Sequence, residues 1–206
     1  MDNEHTATLQ SYGIQQHSVV NYAISLFSLN PHSNIKNVFF DLKWNFPGSS
    51  ADYLDGTCYI YSANLSLTER IFYSYRNSEL VGQNAIVHSG DQMTSTGGKH
   101  TITVNLPLLK DTVKHVVFVL SAYHTSTIAN FKNPGFEMYD LNKKDQSLCS
   151  YHVPNANKQA LILCTFSRDA HNVWNVFQLG VHCSGNMKDD NQIVATILPC
   201  LRNLRI

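Results

Sequence analysis

Residues Lys114–Tyr123 read KHVVFVLSAY, an almost continuous run of apolar residues rich in valine. Valine and aromatic residues are enriched in β-strands. An apolar run of this length without alternation is typical of a strand that is buried on both faces. The run therefore predicts a β-strand at the centre of a sheet.

Further runs of β-strand character lie on both sides of this segment. They are Asn37–Trp44 (NVFFDLKW), Gly56–Leu65, Arg70–Ser74, Asn84–His88, His100–Leu106, Lys158–Arg168 and His171–Val181. The last two are separated by Asp169 and Ala170 and predict a hairpin. Short strands at near-regular spacing with turn residues between them predict an all-β fold, a two-sheet antiparallel β-sandwich with a few short helices.

The predicted helical pieces are short. They are residues 18–25, 108–111, 125–131 and 191–201. A chain of 206 residues is long enough for one well-buried core, and nothing in its composition requires two. We therefore divide the chain into a polar N-terminal tail over residues 1–18 and one β-sandwich domain over residues 19–206.

The composition limits the partners and the location of the protein. The 15 basic and 15 acidic residues give a formal net charge of zero, so the chain lacks the basic surface that binds nucleic acid. The apolar runs at Val116–Ser121 and Ala160–Phe166 are shorter than the roughly 18 residues of a membrane span. The N-terminal sequence MDNEHTATLQ has no apolar core of a signal peptide. We expect a cytoplasmic protein with no membrane span.

Enzyme signatures are missing from the sequence. It contains no GxSxG, HExxH, Walker or dinucleotide-binding pattern, and its cysteines form no CxxC pair. Asp55, His88 and Asp91 could converge as an acid–base group, but no nucleophile accompanies them. We interpret the histidines, including His100 and His115, as neutral, hydrogen-bonded residues and expect a protein that is not an enzyme.

Residues His88–Leu106 read HSGDQMTSTGGKHTITVNL and have the layout of a cation-binding loop. A Gly-Asp turn, a glycine-rich span and a strand can direct oxygen atoms at one point, and calcium takes six to eight oxygen ligands. Asp91 is the only acidic residue in this loop, while Lys99 and His100 follow the glycines. The alternative is an ordinary turn in which Asp91 accepts backbone N–H bonds.

Five segments in this order resemble the TerD family of tellurium-resistance and chemical-stress proteins. They are NVFFDLKW (37–44), ADYLDGTCYIYS (51–62), residues 85–109, residues 114–141 and LILCTFSRDAHNVWNVFQLG (161–180). The similarity covers roughly residues 21–185. It implies a two-sheet β-sandwich with calcium bound in acidic loops at one end, and it extends to the cyclic-AMP-binding proteins of slime moulds.

The family's calcium loops are matched only in part. The Asp-Leu-Asp motif aligns with Tyr53-Leu54-Asp55, with Asp52 one residue earlier, and the Gly-Asp-Asn turn aligns with Gly90-Asp91-Gln92. The acidic Gly-Asp-Asp-Glu cluster aligns with Gly97-Gly98-Lys99-His100, which contains no carboxylate. The resemblance therefore leaves Asp52, Asp55 and Asp91 as a weak or vestigial calcium site.

Two classes of function remain open. The first is a non-enzymatic TerD-like binding module for a divalent cation or small ligand; a cyclic nucleotide would need Arg70, Arg76 or Arg168 for its phosphate. The second is an interaction or scaffold domain with protein partners in a larger assembly, which a tyrosine-rich surface suits. Arg168 and Trp174 match family positions and are expected to be structural, the arginine by capping the hairpin or pairing with a carboxylate and the tryptophan in the core.

Overall fold

The computed structural model describes residues 24–30, 32–46, 53–204 and 206. Its strands are β1 (Ile24–Ser28), β2 (Asn37–Asn45), β3 (Leu54–Ser62), β4 (Leu67–Ile71), β5 (Ile86–His88), β6 (Gln92–Met93), β7 (Gly97–Asn105), β8 (Val113–Ala122), β9 (Lys132–Asp140), β10 (Lys143–His152), β11 (Ala160–Arg168) and β12 (Trp174–Cys183). One α-helix, α1 (Asn191–Arg202), follows them, and a 3₁₀ turn occupies Leu106–Leu108.

The strands form two antiparallel sheets. Sheet A has the order β1-β12-β11-β8-β3-β4, and sheet B has the order β10-β9-β2-β7-β5, with β6 also paired to β7. A large apolar cluster fills the space between the sheets. The predicted all-β, two-sheet sandwich is confirmed.

Strand β8 lies at the centre of sheet A, between β11 and β3. Val116, Phe118 and Leu120 point into the core between the sheets, while Val117 and Val119 belong to a second apolar cluster on the outer face. Both faces of β8 are thus buried, which explains its unbroken apolar sequence. Burial of each such side chain stabilises the fold by about 1.5–3 kcal/mol.

Helix α1 covers the outer face of sheet A. Its buried residues are Ile193, Ile197 and Leu201, spaced four apart on one side of the helix. They pack in the second apolar cluster with residues of β3, β8 and β11. The predicted helix at residues 191–201 is confirmed.

The other helical predictions are corrected by the structure. Residues 24 and 25 belong to β1, residues 125–131 contain no helix, and only the 3₁₀ turn at Leu106–Leu108 lies near the helix predicted at 108–111. Residues 18–23 lie outside the described residues, as does the predicted tail at 1–18, so the domain boundary stays a prediction.

Three strands of sheet B, β6, β9 and β10, were not predicted, and neither was β1 of sheet A. Strand β9 contains Asn133 with a φ of 53°, followed by Pro134 and Gly135, which together have the sequence of a turn. Strand β10 is a largely exposed edge strand with irregular pairing to β9, and such edges tolerate polar residues. Among the described residues, no helix is long and apolar enough to span a membrane.

Candidate functional site

The predicted calcium residues lie at one end of the sandwich, the loop end, which comprises residues 55–56, 88–91 and 97–100. Asp55 is buried as the second residue of β3, whereas Asp91 follows β5 and has a side chain that is 60% exposed. Burial raises the pKa of Tyr73, with further increases from Tyr123, Asp55 and Asp91, so both carboxylates lie near one phenol. Asp52 lies outside the described residues.

Two buried histidines bind the backbone of Gly56. The Gly56 N–H donates to His100 Nδ1 at 2.8 Å, and the Gly56 carbonyl accepts a hydrogen bond from His88 Nε2 at 3.0 Å. His88 Nδ1 accepts the N–H of Gly90 at 2.8 Å. The two imidazole rings lie 4.7 Å apart between centroids. Strand β3 is therefore tied to β7 and to the turn after β5 through side chains.

These partners define the tautomers of both histidines. Each Nδ1 accepts a backbone N–H, so the proton of each neutral ring is on Nε2. In His88 this proton is directed at the Gly56 carbonyl. In His100 it lies on the side of Asp91, whose Oδ1 is 2.9 Å from Nε2, although the two groups lack the alignment of a hydrogen bond. Asp91 thus acts as the carboxylate partner of a buried imidazole.

Burial keeps both rings neutral. Loss of hydration, together with the neighbouring His100, lowers the pKa of His88 to about 4. Burial also lowers the pKa of His100, although Asp91 opposes the shift. The positive charge of Arg76 lowers both pKa values as well. At neutral pH the pair is a hydrogen-bonding network without net charge.

Glycine is required at residue 56 because the histidine ring lies against its backbone. A β-carbon at this position would lie 2.9 Å from His100 Nδ1 and 3.0 Å from Leu42 Cδ1. Real β-carbons essentially never come within 3.0 Å of another heavy atom. The close packing of Gly56, His100 and Leu42 therefore depends on the absence of a side chain.

Two cations lie close to the loop end. The guanidinium of Arg76 packs against Gly90, where a β-carbon would lie 2.6 Å from Arg76 Cζ, and Arg76 Nε donates to the carbonyl of Tyr73 at 2.7 Å. Lys99 points to the outer face of sheet B, where its Nζ binds Asp41 Oδ2 at 2.8 Å. Of these two cations, only Arg76 packs on the turn that holds Asp91, since it contacts Gly90, the preceding residue.

These residues do not fit a calcium ion. Across residues 24–30, 32–46, 53–204 and 206, no group of three His, Cys, Asp or Glu side chains is placed to hold a metal. Asp91 binds His100, and Arg76 adds positive charge beside the same turn. Calcium requires several oxygen ligands, with affinity set by how many carry charge.

Sequence reasoning identified Asp55 and Asp91 but missed the histidine pair. His88 and His100 were interpreted as neutral and hydrogen-bonded, and the structure agrees. Their shared partner, Gly56, is 32 and 44 residues away along the chain. The nearest sequence signal was His100 itself, which stands where the family pattern has a carboxylate.

Arg168 and Trp174 have structural roles. Arg168 pairs with Asp111 at 3.4 Å, donates to the carbonyls of Asp111 and Val113, and lies 5.5 Å from the Trp174 ring. Trp174 is buried and packs on Phe166 with ring centroids 4.7 Å apart. The arginine thus joins the hairpin of β11 and β12 to the start of β8.

The fold and the loop end together define a small antiparallel β-sandwich module whose candidate site lies in the loops at one end. The chain belongs to the TerD domain family, whose family model matches residues 24–189. This confirms the resemblance found in the sequence.

One curated relative and two solved structures extend the comparison. The chain is 24% identical over 181 residues to the tellurium resistance protein TerZ of Serratia marcescens, covering 81% of this chain and 91% of the relative. A protein of unknown function has a similar crystal structure, with a TM-score of 0.56 and 18% identity. A homologue of the telluride resistance protein TerD from Streptomyces coelicolor A3(2) gives a TM-score of 0.55 and 17% identity. Each of the two structural matches covers 73% of this chain and 93% of the other chain, and these matches support the fold alone.

Proposed function

We propose that this chain is a non-enzymatic TerD-domain binding module whose loop end binds divalent cations only weakly. The observation that carries the proposal is the position of His100. This residue aligns with the acidic cluster of the family, is buried, accepts the Gly56 N–H at Nδ1 and places Nε2 2.9 Å from Asp91 Oδ1. His100 thus stands where the family pattern has a carboxylate, and its ring also lies against the neighbouring carboxylate of Asp91.

Electrostatics supports weak calcium binding. A calcium ion at Asp91 would compete with the Nε2–H of His100 and would approach the Arg76 guanidinium. Two unit charges 4 Å apart interact by about 4 kcal/mol at an effective dielectric of 20. Repulsion from Arg76 therefore opposes the attraction of the carboxylates, and Asp55 and Asp91 alone leave the site short of charge.

Calorimetric titration with calcium chloride tests this proposal. We expect no binding with a Kd below about 10⁻⁵ M, the weak limit of protein calcium sensors. The variant Asp91→Asn should show the same calcium response as the unchanged protein, because Asp91 is engaged with His100.

Asp145→Asn is the matched control, since Asp145 is an exposed carboxylate on β10, outside the loop end. Calcium binding with a Kd below about 10⁻⁵ M that is lost in Asp91→Asn and kept in Asp145→Asn would show an intact site. That result contradicts the proposal. Equal and weak responses in all three proteins support it.

The same module is proposed to act in stress response, and the support is its relative, a tellurium resistance protein.

A cyclic-nucleotide ligand is less favoured. Arg70 binds Asp190 at 2.5 Å, Arg76 binds the Tyr73 carbonyl, and Arg168 pairs with Asp111. Each arginine considered for phosphate binding is thus engaged within the chain. The interaction or scaffold alternative stays a prediction.

A further inference from the structure

A cleft of about 430 Å³ crosses the outer face of sheet B. Its floor is formed by β2 and β7, and it is also lined by residues of the hairpin of β9 and β10 and of the segment from β5 to β6. A second cavity of about 320 Å³ shares the lining residues Gln92 and Lys99 with it. Pockets for small ligands measure about 300–1,000 Å³, and the cleft falls in this range.

A buried carboxylate organises the floor of the cleft. Asp41 is only 5% exposed, and its two oxygens accept hydrogen bonds from Lys99 Nζ at 2.8 Å and from Thr101 Oγ1 at 2.5 Å. The ammonium of Lys99 keeps two further N–H donors, and the hydroxyl of Thr101 keeps its acceptor lone pairs. The floor therefore presents fixed donors and acceptors side by side.

The rest of the lining combines neutral polar groups with apolar surface. Thr103 and Gln92 add a hydroxyl and an amide, each of which donates and accepts. Phe39 and Tyr139 stack on each other with ring centroids 4.9 Å apart, and Val87 lies in the same row across the sheet, paired with Thr103. Such a lining can contact both the hydroxyl groups and the C–H surface of one ligand.

Charges on this face are largely neutralised within the protein. Asp41 pairs with Lys99, and Lys43 pairs with Glu137 at 2.6 Å. Lys144 is the remaining charged residue of the cleft lining. A multiply charged ligand would therefore meet little complementary charge, whereas a neutral ligand would lose no ionic hydration on entry.

We propose that this cleft binds a neutral carbohydrate. Hydroxyl groups of a sugar donate and accept hydrogen bonds, which matches the mixed donors and acceptors around Asp41. The C–H face of the sugar matches the apolar surface of Phe39, Tyr139 and Val87. The site lies on the outer face of sheet B and goes beyond the function proposed for the loop end, on which it does not depend.

Titration of the ¹⁵N-labelled protein followed by NMR tests the proposal. The neutral probes are glucose, maltose and N-acetylglucosamine, and the charged probes are inorganic phosphate and adenosine monophosphate. We expect saturable shifts from at least one neutral probe in the amide signals of Thr101, Thr103 and Lys144. The proposal is overturned when no sugar shifts these signals, or when the charged probes shift them and the sugars do not.

Two substitutions at one residue separate binding from folding. Thr103→Trp fills the cleft and should abolish the shifts, while Thr103→Val keeps the side-chain shape, removes the hydroxyl and should raise the Kd about tenfold. Thr125→Trp, in an exposed loop, is the control and should bind as the unchanged protein does. Unchanged sugar affinity in Thr103→Val would overturn the proposal even where Thr103→Trp fails to fold.

Discussion

At the scale of single residues, the loop end is defined by a glycine between two histidines. The N–H and carbonyl of Gly56 each bind one ring, and both rings are held neutral by burial. A buried polar group costs about 1–3 kcal/mol when its partner is lost. The network therefore stabilises this end through neutral hydrogen bonds.

The residue-scale prediction concerns Gly56→Ala. The new methyl group would lie 2.9 Å from His100 Nδ1, so the ring must shift and its hydrogen bonds must weaken. We expect a loss of about 1–3 kcal/mol in the free energy of unfolding, as for other overpacked sites. Urea unfolding followed by circular dichroism measures it.

A double-mutant cycle provides the control for this prediction. In the His100→Ala background the ring is gone, so the penalty of Gly56→Ala should be smaller by at least about 0.5 kcal/mol, the usual size of coupling between contacting residues. Equal penalties in the two backgrounds would show that contact with His100 does not explain the requirement for glycine.

At the scale of elements, the two sheets differ in what covers their outer faces. Sheet A carries α1, which packs on apolar residues of β3, β8 and β11. The outer face of sheet B bears the polar cleft around Asp41 instead. This difference is visible in the strands, since β8 is buried at every position except Lys114 whereas β7 alternates buried and half-buried residues along most of its length.

The element-scale prediction concerns the helix. Ile197 is fully buried between α1 and sheet A, so Ile197→Ala should lower the free energy of unfolding by about 2–5 kcal/mol, the cost of large-to-small substitutions in a core. Gln192→Ala, on the exposed side of the same helix, should change it by less than about 0.5 kcal/mol. Similar values for the two variants, measured by urea unfolding, would mean that the helix does not pack as described.

Sequence patterns predicted the strands whose faces differ in burial or are both buried, such as β2 and β8. They failed for β9, because Asn133 and Pro134 resemble a turn, and for β10, because an exposed edge strand needs no apolar face. At the site, the family pattern located Asp55 and Asp91. The Gly56 network could not be predicted, since its partners are brought together only by the packing of sheet A against sheet B.

At the scale of the whole molecule, buried histidines make the free energy of unfolding depend on pH. His88 and His100 are buried side by side at the loop end, His115 is buried elsewhere in β8, and burial lowers the pKa of each. Burial and the nearby charge of Lys114 together lower the pKa of His115 to about 4. Its Nδ1 lies 2.8 Å from Ser167 Oγ. The folded protein thus binds fewer protons than the unfolded chain between about pH 4 and the unperturbed histidine pKa near 6.5.

The prediction at this scale is a loss of stability as the pH falls from about 6.5 to about 4, because the unfolded chain takes up protons that the folded protein excludes. Above pH 6.5 the stabilisation from neutral His115 is fully present. His115→Gln removes one such group and should reduce the loss by on the order of 1–3 kcal/mol, given 1.36 kcal/mol per pKa unit. Urea unfolding at pH 7 and at pH 4.5 measures the difference. A His115→Gln variant with the same pH dependence as the unchanged protein would show that this buried ring is not excluded from protonation.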